Sequence, residues 1–196
     1  MRSEDVFALG LGLTPPWVIS KVEFVQEPDK SKTLHIYIDF RKGGEFVNDA
    51  GQKQKAYDTE DKTWRHLNFF QHECYLHCRV PRIIMSNGKY KMVEVPWDRP
   101  KSGFTLLFEA YMMMPVEGEI PVAAVSKTVK ETAPRIWRIF RHWVSKSRAA
   151  IDLSAVRRIG VDETSSRKGH KYITQFVDLD TRRLIFEGRR EGQGDI

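Results

Sequence analysis

The stretch GEIPVAAVSKTVKETAPRIWRIFRHWVSK, residues 118–146, constrains the chain most, because its apolar spacing fits two short helices joined by a tight turn. Over 120–129, Val122, Val125 and Val129 recur at intervals of three and four, which sets one helical face on a core. Thr132 is an N-capping residue type, and Pro134 suits a first helical turn, where its missing N–H would have no partner anyway. From there Ile136, Ile139, Phe140, Trp143 and Val144 form a stripe, leaving Arg135, Arg138, Arg141, His142 and Ser145 on the other sides. The four-residue connection KETA has the length that sets a second helix across a first, so a helix-turn-helix is predicted. A plainer description also fits: an amphipathic helix of three turns with a solvated basic face. Periodicity alone does not separate the two.

Charge favours the first description. Thirty-two Lys and Arg against 26 Asp and Glu leave a net charge of +6, a bias toward polyanionic partners with nucleic acid as the leading class. On that reading Arg135, Arg138, Arg141 and His142 meet DNA, and Lys127 and Lys130 add phosphate contacts. An apolar content of 41% over 196 residues is enough for one large or two small cores. No apolar run reaches the roughly 18 residues of a membrane span, and MRSEDVFALGLGL lacks the basic start and long apolar core of a signal peptide. A cytoplasmic protein with no membrane partner is expected.

The two cysteines, Cys74 and Cys78, lie in HECYLHCRV, which alternates like a strand. Residues four apart in a strand share a face but stand about 13 Å apart, too far for a disulfide or a shared metal ion. His72 shares their face and His77 points to the other, so all four read as ordinary core or surface residues.

Taken in order, WVISKVEFVQ and KTLHIYIDF form a predicted hairpin through EPDKS, half-buried on the pattern of Val22, Phe24, Leu34, Ile36 and Ile38. The polar segment RKGGEFVNDAGQKQKAYDTEDK reads as a loop. Strand character resumes in TWRHLNFFQHECYLHCRVPRII, and Asn87-Gly88 marks a second hairpin. The breaker cluster DRPKSG is the expected boundary between a β-rich module over 17–98 and a three-helix unit over 101–148. In that unit FTLLFEAYMMM sets Phe104, Leu107, Phe108, Tyr111 and Met112 on one face, with the methionines as core filling. From 151 to 196 three short strand-like runs follow, the first turn being SSRKGH. In the first of these runs Asp162 stands among apolar residues, where an unpaired carboxylate is costly to bury. The fold class is therefore α+β.

Four phrases, TWRHLNFFQHECYLHCRVPR, VEVPWDRPKSGFTLLFEA, IPVAAVSKTV and GVDETSSRKGHKYITQFVDLDTRRL, resemble the ISL-three family of bacterial insertion-sequence transposases over nearly the whole chain. The resemblance implies a zinc-ribbon-like N-terminal module, a helix-turn-helix and the start of a ribonuclease-H-like catalytic domain. It implies further that Asp162 is the first carboxylate of a DDE triad, whose three acids hold two Mg²⁺ ions for phosphodiester chemistry. The implied partner is double-stranded DNA at transposon ends, and a homodimer is expected.

Two departures from the family pattern stand out. Val47-Asn48-Asp49-Ala50-Gly51 replaces the usual Cys-Pro-x-Cys-Gly, and Met85-Ser86-Asn87-Gly88 stands where a second Cys pair often lies, so no zinc is expected. The second Asp and the Glu of the triad are not among these 196 residues, and Asp178 is expected about five residues, roughly 17 Å, beyond the reach of Asp162. The alternative reading is a non-catalytic DNA-binding fragment that competes with an intact transposase. An RNA-binding protein has less behind it, since no stacking motif of the RRM or KH kind is present.

Overall fold

Helix α1 (Ser3–Gly10) leads into β1 (Trp17–Gln26) and β2 (Lys32–Phe40), an antiparallel hairpin closed by the polar turn that the sequence indicates. The computed structural model describes residues 3–118, 120–167 and 171–189. The chain divides into two units, Met1–Arg141 and His142–Ile196. In the first, β3 (Glu45–Val47) pairs with β4 (Lys53–Lys55), while β5 (Asp58–Phe69), β6 (His72–Ile84) and β7 (Tyr90–Met92) complete a five-stranded sheet. Its order is β1-β2-β6-β5 with β7 also on β6; β2 and β6 run parallel and the other pairs antiparallel. Helices α2 (Leu106–Glu117) and α3 (Val122–Val129) follow, and α4 (Ala133–Ala149) continues into the second unit. That unit holds β8 (Ile159–Arg167), β9 (Lys171–Asp178) and β10 (Arg183–Arg189), an antiparallel sheet of order β10-β9-β8.

The sheet of the first unit has one apolar and one polar face, as period-two alternation demands. Leu34, Ile36 and Ile38 from β2 and Cys74, Leu76, Cys78 and Val80 from β6 are buried together with Trp17, Phe46, Trp64 and Trp97. The tryptophans meet edge to face, Trp17–Trp97 at 5.1 Å and Trp64–Trp97 at 5.8 Å between ring centres, the geometry aromatic quadrupoles prefer. Both cysteines are free, and burial pushes each thiol up to about 12.

The polar segment expected to be a loop is partly ordered, with β3 and β4 inside it and β5 starting at Asp58, five residues before the aromatic run. Strands of three residues, EFV and KQK, are too short to carry readable alternation. The turn between β3 and β4 docks on the Asn87-Gly88 turn between β6 and β7. Asp49 accepts from the Ser86 N–H at 2.8 Å and its hydroxyl at 2.7 Å, and Asn48 donates to the Ile84 carbonyl at 3.3 Å. Asn48 also accepts from the Ala50 and Gln52 amides, which fixes its own turn. The β3–β4 and β6–β7 turns, where the resemblance leads cysteine pairs to be expected, thus meet through a hydrogen-bonded clasp.

On α2, Phe104 (just before it), Phe108 and Met112 are buried, whereas Leu107 and Tyr111 are exposed and Met114 still more so. The apolar face is one column narrower than the spacing predicts, and of the three methionines Met112 alone is fully buried, with Met113 half-buried and Met114 exposed.

Candidate nucleic-acid interface

Helix α3 buries Val122, Val125 and Val129 and stops at Lys130, which adopts the left-handed conformation (φ 55°, ψ 38°). The Glu131 N–H then reaches the Ser126 carbonyl at 3.0 Å. Only residues 130–132 connect the helices, one fewer than the sequence suggests, because Ala133 already lies in α4. The Thr132 carbonyl accepts from the Arg135 and Ile136 amides at 3.0 and 3.2 Å, so Thr132 occupies the capping position and Pro134 the first turn.

Ile136 and Ile139 are fully buried, and Phe140, Trp143 and Val144 are half-buried. Arg138, Arg141 and His142 are exposed, as are Lys127 and Lys130 on the preceding helix and turn. Arg135 is different. Its guanidinium pairs with Glu131 at 2.5 Å and lies 4.2 Å from the Phe104 ring centre, so it fastens α4 to the start of α2 instead of standing free. Lys130 lies 3.8 Å from Glu73 of β6, a loose ion pair with the lysine side chain 70% exposed.

Sequence reasoning missed Trp137. It belongs to neither the apolar stripe nor the charged set, yet it is 43% exposed, edge to face with Phe140 at 5.7 Å, on the helical side of Arg138 and Arg141. Its position one residue after a buried Ile136, and therefore about 100° round the helix, was the available signal.

Buried polar groups hold the helices on the sheet. The Arg65 amide donates to Gly103 at 3.1 Å and its carbonyl accepts from Thr105 at 3.0 Å, extending β5 by a bridge to the chain entering α2. The Arg65 side chain is buried; it donates to Asn68 at 2.5 Å and to the Cys74 carbonyl at 3.2 Å, and it lies over Phe108 and Tyr75. His66 meets the Thr105 hydroxyl at 2.8 Å, and burial, with Arg65 beside it, holds that imidazole down at about 4. Glu109 of α2 is fully buried and accepts from Arg99 at 2.8 Å and from the Ser102 hydroxyl. The breaker cluster at 98–103 is thereby tied to both sheet and helix.

In the second unit Asp162 lies exposed on β8, opposite Gln175 of β9. The hairpin closes more tightly than the sequence suggests, because Ser165 and Arg167 extend β8 to pair with Tyr172 and Lys171; residues 168–170 of the expected turn lie outside the described residues. Asp178 consequently pairs opposite Ile159, three positions from Asp162, about 10 Å along the strand instead of 17 Å. Three is an odd number, so its side chain leaves from the other face. Asp178 is buried, accepting from the Asp180 amide at 3.0 Å and the Thr181 hydroxyl at 2.6 Å, and these bonds hold its carboxyl below the usual range. Asp180 is paired with Arg158. Among the described residues no group of three or more His, Cys, Asp or Glu could hold a metal ion. No described helix is long and apolar enough to cross a membrane.

The model of the helix-turn-helix domain of transposase family ISL3 matches residues 93–144, which take in the 98–103 loop, α2, α3 and most of α4. Two curated proteins of Mycobacterium tuberculosis, from strains CDC 1551 / Oshkosh and ATCC 25618 / H37Rv, each named transposase for insertion sequence element IS1557, are 28% identical over 196 residues. The alignment takes in 95% of this chain and 43% of theirs, so the chain spans less than half the length of these relatives. No solved structure matches the chain.

Proposed function

Taking the chain as an ISL3-type insertion-sequence transposase, as these similarities support, we propose that it binds double-stranded DNA at transposon ends through α4. The observation that carries this reading is the outward side of a docked second helix, where Arg138 and Arg141 are exposed beside Trp137 while Ile136 and Ile139 anchor the opposite side. Arginine reads guanine edges or phosphate, and the indole offers an apolar surface to a thymine methyl or a sugar. Lys127 and Lys130 approach the backbone from the turn, and Arg135 acts by fixing the angle of α4.

Within the same reading the whole protein carries out metal-dependent DDE transposition, and Asp162 is the carboxylate this chain contributes. No step is assigned to it: Glu187 of β10 shares its face across Gln175 but stands two strands away, about 10 Å. The N-terminal sheet is the counterpart of the family's zinc-ribbon-like module, and the three strands β8 to β10 are the beginning of a ribonuclease-H-like sheet. A homodimer belongs to this reading as well. The alternative of a competing DNA-binding fragment has no observation in its favour.

The test is fluorescence anisotropy of the full chain with a labelled duplex carrying the element's end and with a scrambled duplex, over a salt series. Preference for the end sequence, with log affinity falling linearly in log salt, is the expected result. Equal, salt-independent binding to both duplexes would remove the helix-turn-helix from DNA recognition.

A further inference from the structure

The polar face of the first unit's sheet carries a continuous hydrogen-bond chain whose polarity is fixed by its ends. Thr33 donates its hydroxyl to the Glu27 carboxylate at 2.8 Å, so at 2.9 Å from His35 Nε2 its oxygen accepts. His35 therefore carries its proton on Nε2 and accepts at Nδ1 from His77 Nε2, 2.7 Å away. His77 Nδ1 in turn accepts from the Thr63 hydroxyl at 3.0 Å. Two facing ring nitrogens cannot both carry protons, so the pair takes up one positive charge and not two. The cheapest entry point is His77 Nδ1, where protonation requires only that the Thr63 hydroxyl turn to accept.

This chain floors a concave region of about 1110 Å³ between the β1–β2 turn, the polar sheet face and the helix-turn-helix turn. Lys30, Lys32 and Lys130 line it. Three carboxylates share the recess: Glu27 accepts from Thr33, Asp29 from the Ser31 amide and hydroxyl at 3.0 and 2.6 Å, and Glu73 from the Tyr75 hydroxyl at 3.0 Å. Glu73 also faces Lys130 and Arg65, each at 3.8 Å, so an entering phosphate would take Lys130 over from Glu73 and meet Lys30 and Lys32, which hold no ion pair among the described residues. The rings of Tyr37 and Tyr75 stack on His77 and His35 at 4.7 and 5.6 Å, which fixes both imidazoles in place. Around them stand Lys21 over Tyr37, Glu23 from β1, Arg65 over Tyr75 from β5, and Glu131 near Tyr75 from the turn. Burial, then His35, hold His77 below the ordinary imidazole value, with Glu23 pulling the other way.

We propose that this recess is a second DNA contact, which takes a backbone phosphodiester next to the helix-turn-helix and gains one proton at His77 when the phosphate enters. The inference rests on the DNA-binding reading above. Lys130, which closes α3, puts the recess beside the turn, so a strand crossing that turn runs onto the lysines. The incoming anion favours the charged imidazole, and the pair has room for that one charge.

The experiment is calorimetry of the full chain with the end duplex near pH 7 in two buffers of different ionisation enthalpy, alongside nitrogen chemical shifts of His77. Close to one proton is taken up on binding near pH 7, His77 changes from the Nε2–H form to the doubly protonated form, and affinity rises about tenfold per pH unit as pH falls through 7. His77→Gln abolishes both the uptake and the pH dependence while still binding at pH 8. Lys32→Ala, an exposed change that leaves the histidines untouched, flattens the salt slope by about one and retains part of the uptake. DNA that binds with no proton uptake overturns the inference and leaves the recognition helix standing, whereas absence of DNA binding at any pH overturns the DNA-binding reading itself. A His77 shift produced by inorganic phosphate alone would assign the recess to free phosphate and not to DNA.

Discussion

Replacing the three arginines of α4 one at a time separates scaffolding from contact. Arg135 is held by Glu131 at 2.5 Å and by the Phe104 ring at 4.2 Å, with its side chain 40% exposed. A partly desolvated cation over an aromatic face contributes about 1 kcal/mol, and the half-exposed ion pair adds roughly 0.3–0.5 kcal/mol after solvent screening. Arg135→Ala should therefore lower stability by about 1–1.5 kcal/mol, which for a chain of this size moves the melting midpoint by roughly 3–5 °C. Arg138 and Arg141 are exposed, so alanine at either should leave the midpoint unchanged. In DNA binding the order reverses. Each lost phosphate contact reduces the salt slope by about 0.9, which amounts to about threefold in affinity between 50 and 200 mM salt. Calorimetry for the midpoints and anisotropy over a salt series for the slopes measure both. A slope loss in Arg135→Ala equal to that of Arg141→Ala, with no change in midpoint, would refute the scaffold assignment.

Chelator should not unfold the chain, and purified protein should hold far less than one equivalent of zinc, because the Asp49–Ser86 clasp joins the two turns. Ser86→Ala should lower the urea midpoint at pH 7. The Ser86 amide and hydroxyl hold Asp49 below the usual carboxylate range, so this contribution is present above the unfolded value and is lost as pH falls through the lower folded one. Asp98 goes the other way: burial raises it to about 6, with Trp64 opposing, so its ionisation costs stability as pH climbs from about 4 through 6, and Asp98→Asn should raise the melting midpoint at pH 7 but not at pH 4. Glu109→Ala should cost about 3 kcal/mol in denaturant unfolding, since it strands Arg99 in a mostly buried position. Cys74 and Cys78, raised to about 12, should stay unmodified by a thiol reagent at pH 8 in the native chain and react on unfolding.

Legibility in the sequence followed the length and regularity of each element. The β1–β2 hairpin, the Asn87-Gly88 turn and the valines of α3 announced themselves, because alternation or helical spacing ran uninterrupted through them. What could not be read depended on tertiary partners. Nothing local marks Arg65 as buried among Asn68, Cys74 and Phe108, or Arg135 as occupied by a ring 31 residues earlier. Leu107 and Tyr111 have the right spacing for a core face and still point outward, since only one column of α2 meets the sheet and α3. Asp162 was correctly placed on a strand face, but its separation from Asp178 turned on a register that Ser165 sets by continuing the strand. The His35–His77 chain was invisible because its members, Thr33, His35, Thr63 and His77, come from three strands that only the parallel β2–β6 pairing brings side by side.

The seam at Arg65 also has a bearing on the order in which the chain assembles. Its amide and carbonyl bond to Gly103 and Thr105, and its guanidinium reaches Asn68 and the Cys74 carbonyl. Until β5 and β6 have paired, residues 103–105 have no edge to join and Phe108 has no cation above it. The sheet is thus a template for α2, and α2 in turn supplies Phe104 as the surface on which Arg135 settles α4. During synthesis that sequence runs with the chain, N-terminus first, so the basic helix would acquire its fixed orientation last, after everything beneath it has set.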